Sequence, residues 1–397
     1  MADAARETWI TGIGIASCLG EGPEAHWQGL LEQRIKVDAE RFAPYLVHPI
    51  ASLELDRQIP KKGDQRQMEP WQRIGTYAAG LALENAGLKG NVELLARTDM
   101  IVAAAGGERD VAVDSAVLTN KPKAADPEAF LNEKLMSDLR PTLFLAQLSN
   151  LLAGNISIVH GVTGSSRSFM GEEAAGVDAV RIALARIAAG QSDLALVGGS
   201  YNGERPDLLL LYDSGGYLLR GQFKPVWERS GSPGMVLGSF GAFLVLEARS
   251  HAEARGAKPL ARLLGVLSDR SRRSHSAVSA TLAQMWQRVA PIRSAGQFAI
   301  ISGATGTEPA TRDERSWLKT MPNLPVRATG SYIGHGFEPQ FAMNVALATV
   351  ALGHKKLFPP LDSSGVEQQY DGPLDQIAVT SVGHWRGEGI GLVEAVQ

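Results

Sequence analysis

An α/β fold is predicted from three features of the chain. The stretch from His160 to Gly199 reads as loop or strand, a sharp turn at Gly171, a helix from about Glu172 to Ala189, and a short strand from about Asp193 to Val197. Thr8 to Ser17, T-W-I-T-G-I-G-I-A-S, alternates β-branched and small residues like a core strand and leads into a glycine-rich turn and a helix. A content of 43 glycines with 44% hydrophobic residues suits many tight strand–helix turns around a large core. At 397 residues one large or two medium domains can form. The order strand, glycine turn, helix, strand recurs in both halves, which predicts a duplicated α/β unit.

In chain order, the first strand passes into C-L-G-E-G-P-E-A-H-W, where Cys18 reads as a packed small side chain and not as a catalytic thiol. From about Gln67 to Gly87, Trp71, Ile74, Ala78, Leu81 and Ala82 fall at helical spacing, with Gly87 as the C-cap. Met100 to Gly107 reads as a buried strand into a glycine turn, and the polar stretch to about Arg140 as an irregular surface excursion. Pro141 to Ile158 reads as an apolar helix into a strand. In the central stretch two acids follow Gly171, and orphan N–H groups with the helix dipole favour negative charge there. Ala174, Val177, Val180, Ile182 and Leu184 make the helix mostly apolar, and Gly190 closes it. Asp207 to Tyr217 is a further apolar patch. The C-terminal half carries a helix from about Val278 to Val289, a strand from Phe298 to Gly303, a helix–turn from about Ala342 to Leu352, and a hairpin-like pair near Ile377–Val382 and Gly389–Glu394.

These elements carry a resemblance. T-W-I-T-G-I-G-I-A-S-C-L-G resembles the opening of the β-ketoacyl-ACP synthase (condensing enzyme) family of the thiolase superfamily. So does Trp227 to Glu247, with Ser239 where the family has the Glu of G-E-G-A. The family's T-A-C-x-x-G puts the acyl-accepting Cys at the start of the central helix. Laid onto S-F-M-G-E-E-A-A-G with Gly176 and Gly190 as anchors, it sets Glu173 in that place. The resemblance implies a thiolase-like fold in five αβαβα layers, with an N-terminal half at 1–247 and a C-terminal half at 248–397.

A Claisen condensation needs a thiolate to carry the acyl chain, two donors to stabilise an enolate, and an oxyanion hole. The family's N-A-H-G-T-G-T-P aligns with Ile301 to Pro309, where the histidine position holds Gly303. K-S-x-x-G-H aligns with G-S-Y-I-G-H, so His335 and Gly334 remain while Gly330 replaces the lysine. The loop G-F-G-G-x-N, which gates acyl entry and borders the oxyanion site, becomes Gly383, His384, Trp385, Arg386, Gly387 and Glu388. Bulky residues where backbone must approach a thioester oxygen argue against a working hole. Glu172 and Glu173 either complement the helix dipole or have a chemical role, and His335 is either structural or functional.

The resemblance therefore implies a member that lacks the nucleophile and acts as a chain-length-factor-like partner of a Cys-bearing paralogue. The whole chain is similar to Cys-less proteins of alphaproteobacterial very-long-chain acyl clusters that supply a lipid A acyl chain. Leu143, Leu148, Leu152, Leu208 and Leu210 are then candidate tunnel or interface surface, although a simple core explains the apolar pattern of 141–158 equally well. A homodimer is the alternative assembly. An enzyme of another kind, a malonyl-ACP decarboxylase or thioesterase using Glu173 and His335, is the alternative activity. Lys61, Lys62 and Arg66, and separately Arg270, Arg272 and Arg273, are either solvated loops or a docking surface for an acidic acyl carrier protein.

The formal charge of −3 gives no reason to expect nucleic-acid or membrane-surface binding. A single cysteine excludes internal disulfides and fits a reducing cytoplasm. No apolar run approaches a bilayer span, and M-A-D-A-A-R-E-T does not read as a secretory signal. No cofactor and no metal is expected.

Overall fold

The computed structural model describes residues 6–138, 145, 147–274, 276–293, 296–321 and 323–396. The first half contributes β1 (Thr8–Ser17), β2 (Gly20–Glu21), β3 (Val47–His48), β4 (Asp99–Ala104), β5 (Ser166–Phe169), β6 (Leu194–Tyr201), β7 (Leu237–Gly238) and β8 (Phe240–Ala248). The second contributes β9 (Ala261–Asp269), β10 (Phe298–Ser302), β11 (Val326–Ala328), β12 (Gln376–Val382) and β13 (Glu388–Glu394). Seven helices position the site: α1 (Pro70–Asn85), α2 (Leu151–His160), α3 (Glu173–Ala188), α4 (Pro206–Ser214), α5 (Ala277–Val289), α6 (Ala310–Leu318) and α7 (Gln340–Gly353).

The main strands form one sheet in the order β11-β10-β12-β13-β9-β1-β8-β6-β4-β5. Each end repeats the other. β5, β4 and β6 run parallel and are followed by antiparallel β8 and β1; β11, β10 and β12 run parallel and are followed by antiparallel β13 and β9. Among the described residues the two half-sheets pair through Trp9↔Arg262 and Ile10↔Ala261. Helices α3 and α7 lie between them, α3 against β9, β4 and β6, and α7 against β12 and β8. Helices α1 and α2 cover the outer face of the first half-sheet, and α5 and α6 that of the second. This is the duplicated, layered arrangement that the resemblance implies.

The middle layer explains two apolar stretches of the sequence. A helix between two sheets has no solvent face, so α7 is buried from Gln340 to Leu352. Along α3 the buried residues include Ala174, Ala175, Val177, Ala179, Val180, Ala183 and Ile187. All of these but Ala174 pack in one cluster with Ile13, Ile15, Val197, Leu244, Phe341, Val345 and Val379. Burial of this kind is worth about 25 cal/mol per Å² of apolar surface, so the middle layer stabilises the contact between the halves.

Two expectations change. The surface excursion before Arg140 is helical over Val111–Asn120 and Pro127–Ser137, because Asp110 and Asp126 cap the first turns, each accepting two backbone N–H groups. Ile156 to Ile158 lies within α2 and is not a strand. Leu152, Ala153 and Ile156 turn to the core at helical spacing, and Gly161 at φ 76° ends the helix.

One buried acid outside the site sets a pH test. Glu314 on α6 accepts hydrogen bonds from Ser302 (2.9 Å) and Thr380 (2.6 Å), yet burial pushes its carboxyl up to about 7 from an ordinary 4.5. Between those values the unfolded chain is ionised and the folded one is not, so stability falls as pH rises, to a ceiling of about 3 kcal/mol. Glu314→Gln is expected to be more stable than the parent above pH 7 and to lose that advantage below about pH 4.5. Denaturant titrations across pH test this; a difference that does not vary with pH contradicts it.

Candidate functional site

The site forms where the N-terminus of α3 meets the segment after β11 and the β12–β13 loop. Gly171 (φ 138°) and Glu172 (φ 58°, ψ −136°) turn the chain sharply from β5 into α3. The positive φ at Glu172 is a strained state of order 1–3 kcal/mol, held by its surroundings. Glu173 opens the helix and points inward. Gly176, one turn on, has no room for a side chain, since a Cβ would lie 2.2 Å from the Glu338 carbonyl oxygen.

Glu173 is 2% exposed, and its Oε1 accepts three hydrogen bonds. His335 Nε2 donates at 2.8 Å, and His384 donates from Nδ1 and from its backbone N–H, both at 3.1 Å. Burial alone would push the carboxyl up. The His384 imidazole beside it, with the hydrogen bonds from both histidines, outweighs burial and holds it well below the usual carboxylate range. Glu173 Oε2 is buried with no hydrogen-bond partner among the described residues.

Each histidine is fixed by backbone. His335 follows Gly334 (φ 75°), where a Cβ would meet His48, Gly238 and Val236 at 2.8–2.9 Å. Its N–H donates to Val236 O at 2.8 Å, and its carbonyl accepts Gly238 N–H at 2.9 Å. His384 sits in the β12–β13 loop, which Gly383 N–H closes onto Gly387 O at 2.8 Å. Arg273 donates to Gly383 O (3.1 and 2.6 Å), to Gly387 O (3.3 Å) and to Glu388. Of the three basic residues predicted near 270, only Arg270 and Arg272 are exposed; Arg273 is committed to the loop. Lys61, Lys62 and Arg66 are exposed, with Lys62 paired to Asp56.

Aromatic rings close the site. Tyr212 stacks on Phe337 (4.7 Å between centroids), and Tyr212, Tyr217 and Phe337 all meet His384 edge-on at 5.5, 4.8 and 5.4 Å. Trp385 donates its indole N–H to Glu172, with Arg386 over its ring. Behind Glu172, Glu338 accepts its N–H at 3.1 Å. Burial, reinforced by Glu173 and Glu172, pushes the Glu338 carboxyl up to about 8.

Chemically this is a closed acid–imidazole cluster. The His384 N–H that could border an oxyanion is spent on a carboxylate, and so is His335 Nε2. Gly303 is packed so that a Cβ would stand 2.6 Å from Thr380 O, which leaves no space for a side chain there. Cys18 lies at the end of β1, its Sγ 3.4 Å from Tyr332 O, and burial pushes its thiol up to about 12.

The sequence singled out Glu173, His335, Gly383, His384 and Trp385, and the structure brings these together. Leu143 lies outside the described residues. Leu152 is fully buried beneath α1, in the α2 stripe facing it, as the core alternative for 141–158 expects. Leu148 and Leu210 are exposed, and Leu208 packs against the Phe337 cluster. Sequence reasoning missed Glu338, Phe337, Tyr212 and Tyr217 as site residues. An acid three positions after His335 in the otherwise apolar run G-F-E-P-Q-F-A-M was the available signal for Glu338.

Residues 5–252 match the family profile described as Beta-ketoacyl synthase, N-terminal domain. The chain is 27% identical over 273 residues to the 3-oxoacyl-[acyl-carrier-protein] synthase 2 of Vibrio harveyi, over 66% of this chain and 62% of that protein. The match thus spans less than two thirds of that relative's length. Among solved structures it is similar to the ishigamide ketosynthase/chain length factor (TM-score 0.81, 19% identity, covering 99% of this chain and 100% of that one). It is also similar to a type II PKS acyl-carrier protein in complex with its ketosynthase bound to the hexaketide (TM-score 0.76, 19% identity, 99% and 100%). With more than half its length matched by the family profile and the same duplicated fold, the chain belongs to the beta-ketoacyl synthase family.

Proposed function

We propose that this chain is a non-condensing, chain-length-factor-like subunit that pairs with a Cys-bearing ketosynthase and shapes its acyl tunnel. The observation that carries the reading is the Glu173 carboxylate, buried where the family aligns its acyl-accepting Cys and held by His335 and His384. A buried carboxylate tied to three N–H groups is a poor nucleophile, and any mixed anhydride it formed would hydrolyse. Cys18, the one thiol of the chain, is locked as the neutral SH away from the cluster.

Two similar structures, one a ketosynthase/chain length factor and one an acyl-carrier protein with its ketosynthase, support the kind of partners. The edge of β5 not taken by β4 has no strand partner among the described residues. Leu145, Leu148, Ile158, Met170, Leu210 and Leu211 are exposed on the segments before and after it and on α4. An open strand edge with exposed apolar side chains fits a second subunit. Lys61, Arg66, Arg270 and Arg272 are exposed, as docking of an acidic acyl carrier protein requires. Among the described residues no helix is long and apolar enough to cross a membrane. With the single cysteine, this supports a cytoplasmic assembly. The product we infer is a very-long-chain acyl–ACP for a lipid A acyl chain, a reading that rests on the whole-chain resemblance.

The experiment is co-expression with a Cys-bearing synthase and a carrier protein. A one-to-one complex that elongates a primer, with no elongation by this chain alone, is the expected result. A stable homodimer that ignores the synthase, or covalent acylation of the isolated chain, overturns the proposal. CO2 release from malonyl-ACP by the chain alone, abolished in His335→Ala, would replace it with the decarboxylase reading.

A further inference from the structure

The cluster at the head of α3 holds more acid than its hydrogen bonds account for. One carboxylate oxygen each from Glu172 and Glu173 and one ring nitrogen of His384 lie within 4.8 Å of one another. Glu172 Oε1 is 3.8 Å from His384 Nε2 and 3.5 Å from the Tyr212 hydroxyl. Glu338 presses a third carboxyl against the Glu172 backbone at 3.1 Å. Among the described residues no Lys or Arg forms an ion pair with any of the three. The positive end of α3 offsets only about half a charge.

A second observation points to a missing partner. Glu173 Oε2 and Glu338 Oε2 are both buried without a hydrogen-bond partner among the described residues, on side chains 2% and 3% exposed. An unpaired carboxylate oxygen in a dry interior is costly unless a cation or donor meets it. Ligands around a metal at ~2.1 Å stand ~3–3.4 Å apart, so side-chain movements of less than about 1 Å would close this group onto an ion.

We propose that Glu172, Glu173 and His384 bind one divalent first-row transition-metal ion, whose charge the two carboxylates match. Mixed imidazole and carboxylate donors suit Zn2+ and Mn2+ better than Ca2+, which takes oxygen ligands only. The ion neutralises the glutamate pair, takes up the orphaned oxygen, and ties the head of α3 to the β12–β13 loop. The proposal needs no second subunit, so it stands or falls separately from the partner reading.

The test uses the full-length chain stripped with chelator and titrated with Zn2+ and with Mn2+. Calorimetry is followed by elemental analysis after dialysis. The expected result is one ion per chain, a thermal midpoint that rises with metal concentration, and affinity at least tenfold weaker in Glu172→Gln and in His384→Gln. Glu314→Gln, remote from the cluster, is expected to bind as the parent does. Should His384→Gln fail to fold, Glu172→Gln carries the test, because that side chain is partly exposed. No stoichiometric ion, or binding of equal strength in Glu172→Gln, overturns the proposal.

Discussion

Glu173→Ala is expected to lower the unfolding free energy by about 3 kcal/mol, and Glu173→Gln by about 1–2 kcal/mol, measured by denaturant titration in chelator. Among the described residues the carboxylate is the acceptor for His335 Nε2, His384 Nδ1 and the His384 backbone N–H. Truncation leaves all three donors buried, and breaking a buried ion pair from one side typically costs about 3–5 kcal/mol. Glutamine restores an oxygen at the same reach without the charge, which is why its loss is smaller. Equal losses in the two variants would mean that the charge, which both remove, holds the cluster, and that the oxygen and packing kept by glutamine add nothing. The same pair of variants separates scaffold from chemistry. If Glu173 is structural, as proposed, both variants should still assemble with a Cys-bearing synthase once folded.

Much of this molecule was legible because its middle layer writes itself into the sequence. The run from Gln340 to Leu352 has no polar face, and only a helix covered on both sides tolerates that. The glycines around α3 were legible for the same reason: a Cβ on Gly176 would stand 2.2 Å from a carbonyl oxygen, and that requirement anchors the motif that put Glu173 at the helix start. Other features were not local enough to read. Ile156 to Ile158 has β-branched residues suited to a strand, but packing under α1 makes it the end of a helix. Glu172 and Glu173 stand more than two hundred positions from His384, so no ligand spacing along the chain signals a cation site. Glu338 reaches Glu172 only because α3 and the segment before α7 meet head to head. Arg273 sat in a basic run that suggested a docking surface, and its true partners lie over a hundred residues away on the β12–β13 loop.

That last correction yields a large expected effect. Arg273→Ala is expected to cost about 3–5 kcal/mol in unfolding free energy, whereas Arg272→Ala, on an exposed neighbour, should change it by less than about 0.5 kcal/mol. Glu388 is 1% exposed, and Arg273 is the cation that meets it, with Ser271 supplying its other donors at 2.8 and 2.9 Å. Removing the guanidinium strands that carboxylate and also releases the carbonyls of Gly383 and Gly387. These carbonyls flank His384, so the loss should reach the cluster: the His384 N–H would no longer be aimed at Glu173, and added Glu173→Ala should cost less than it does alone. A double-mutant cycle over Arg273 and Glu173 measures this coupling, expected at about 1 kcal/mol or more. Strict additivity would show that the loop holds its shape without Arg273. Arg272→Ala should show the opposite pattern, leaving the fold intact and weakening only carrier-protein association. A docking surface and a structural clamp then stand side by side in one short basic run, told apart by which guanidinium the β12–β13 loop has enclosed.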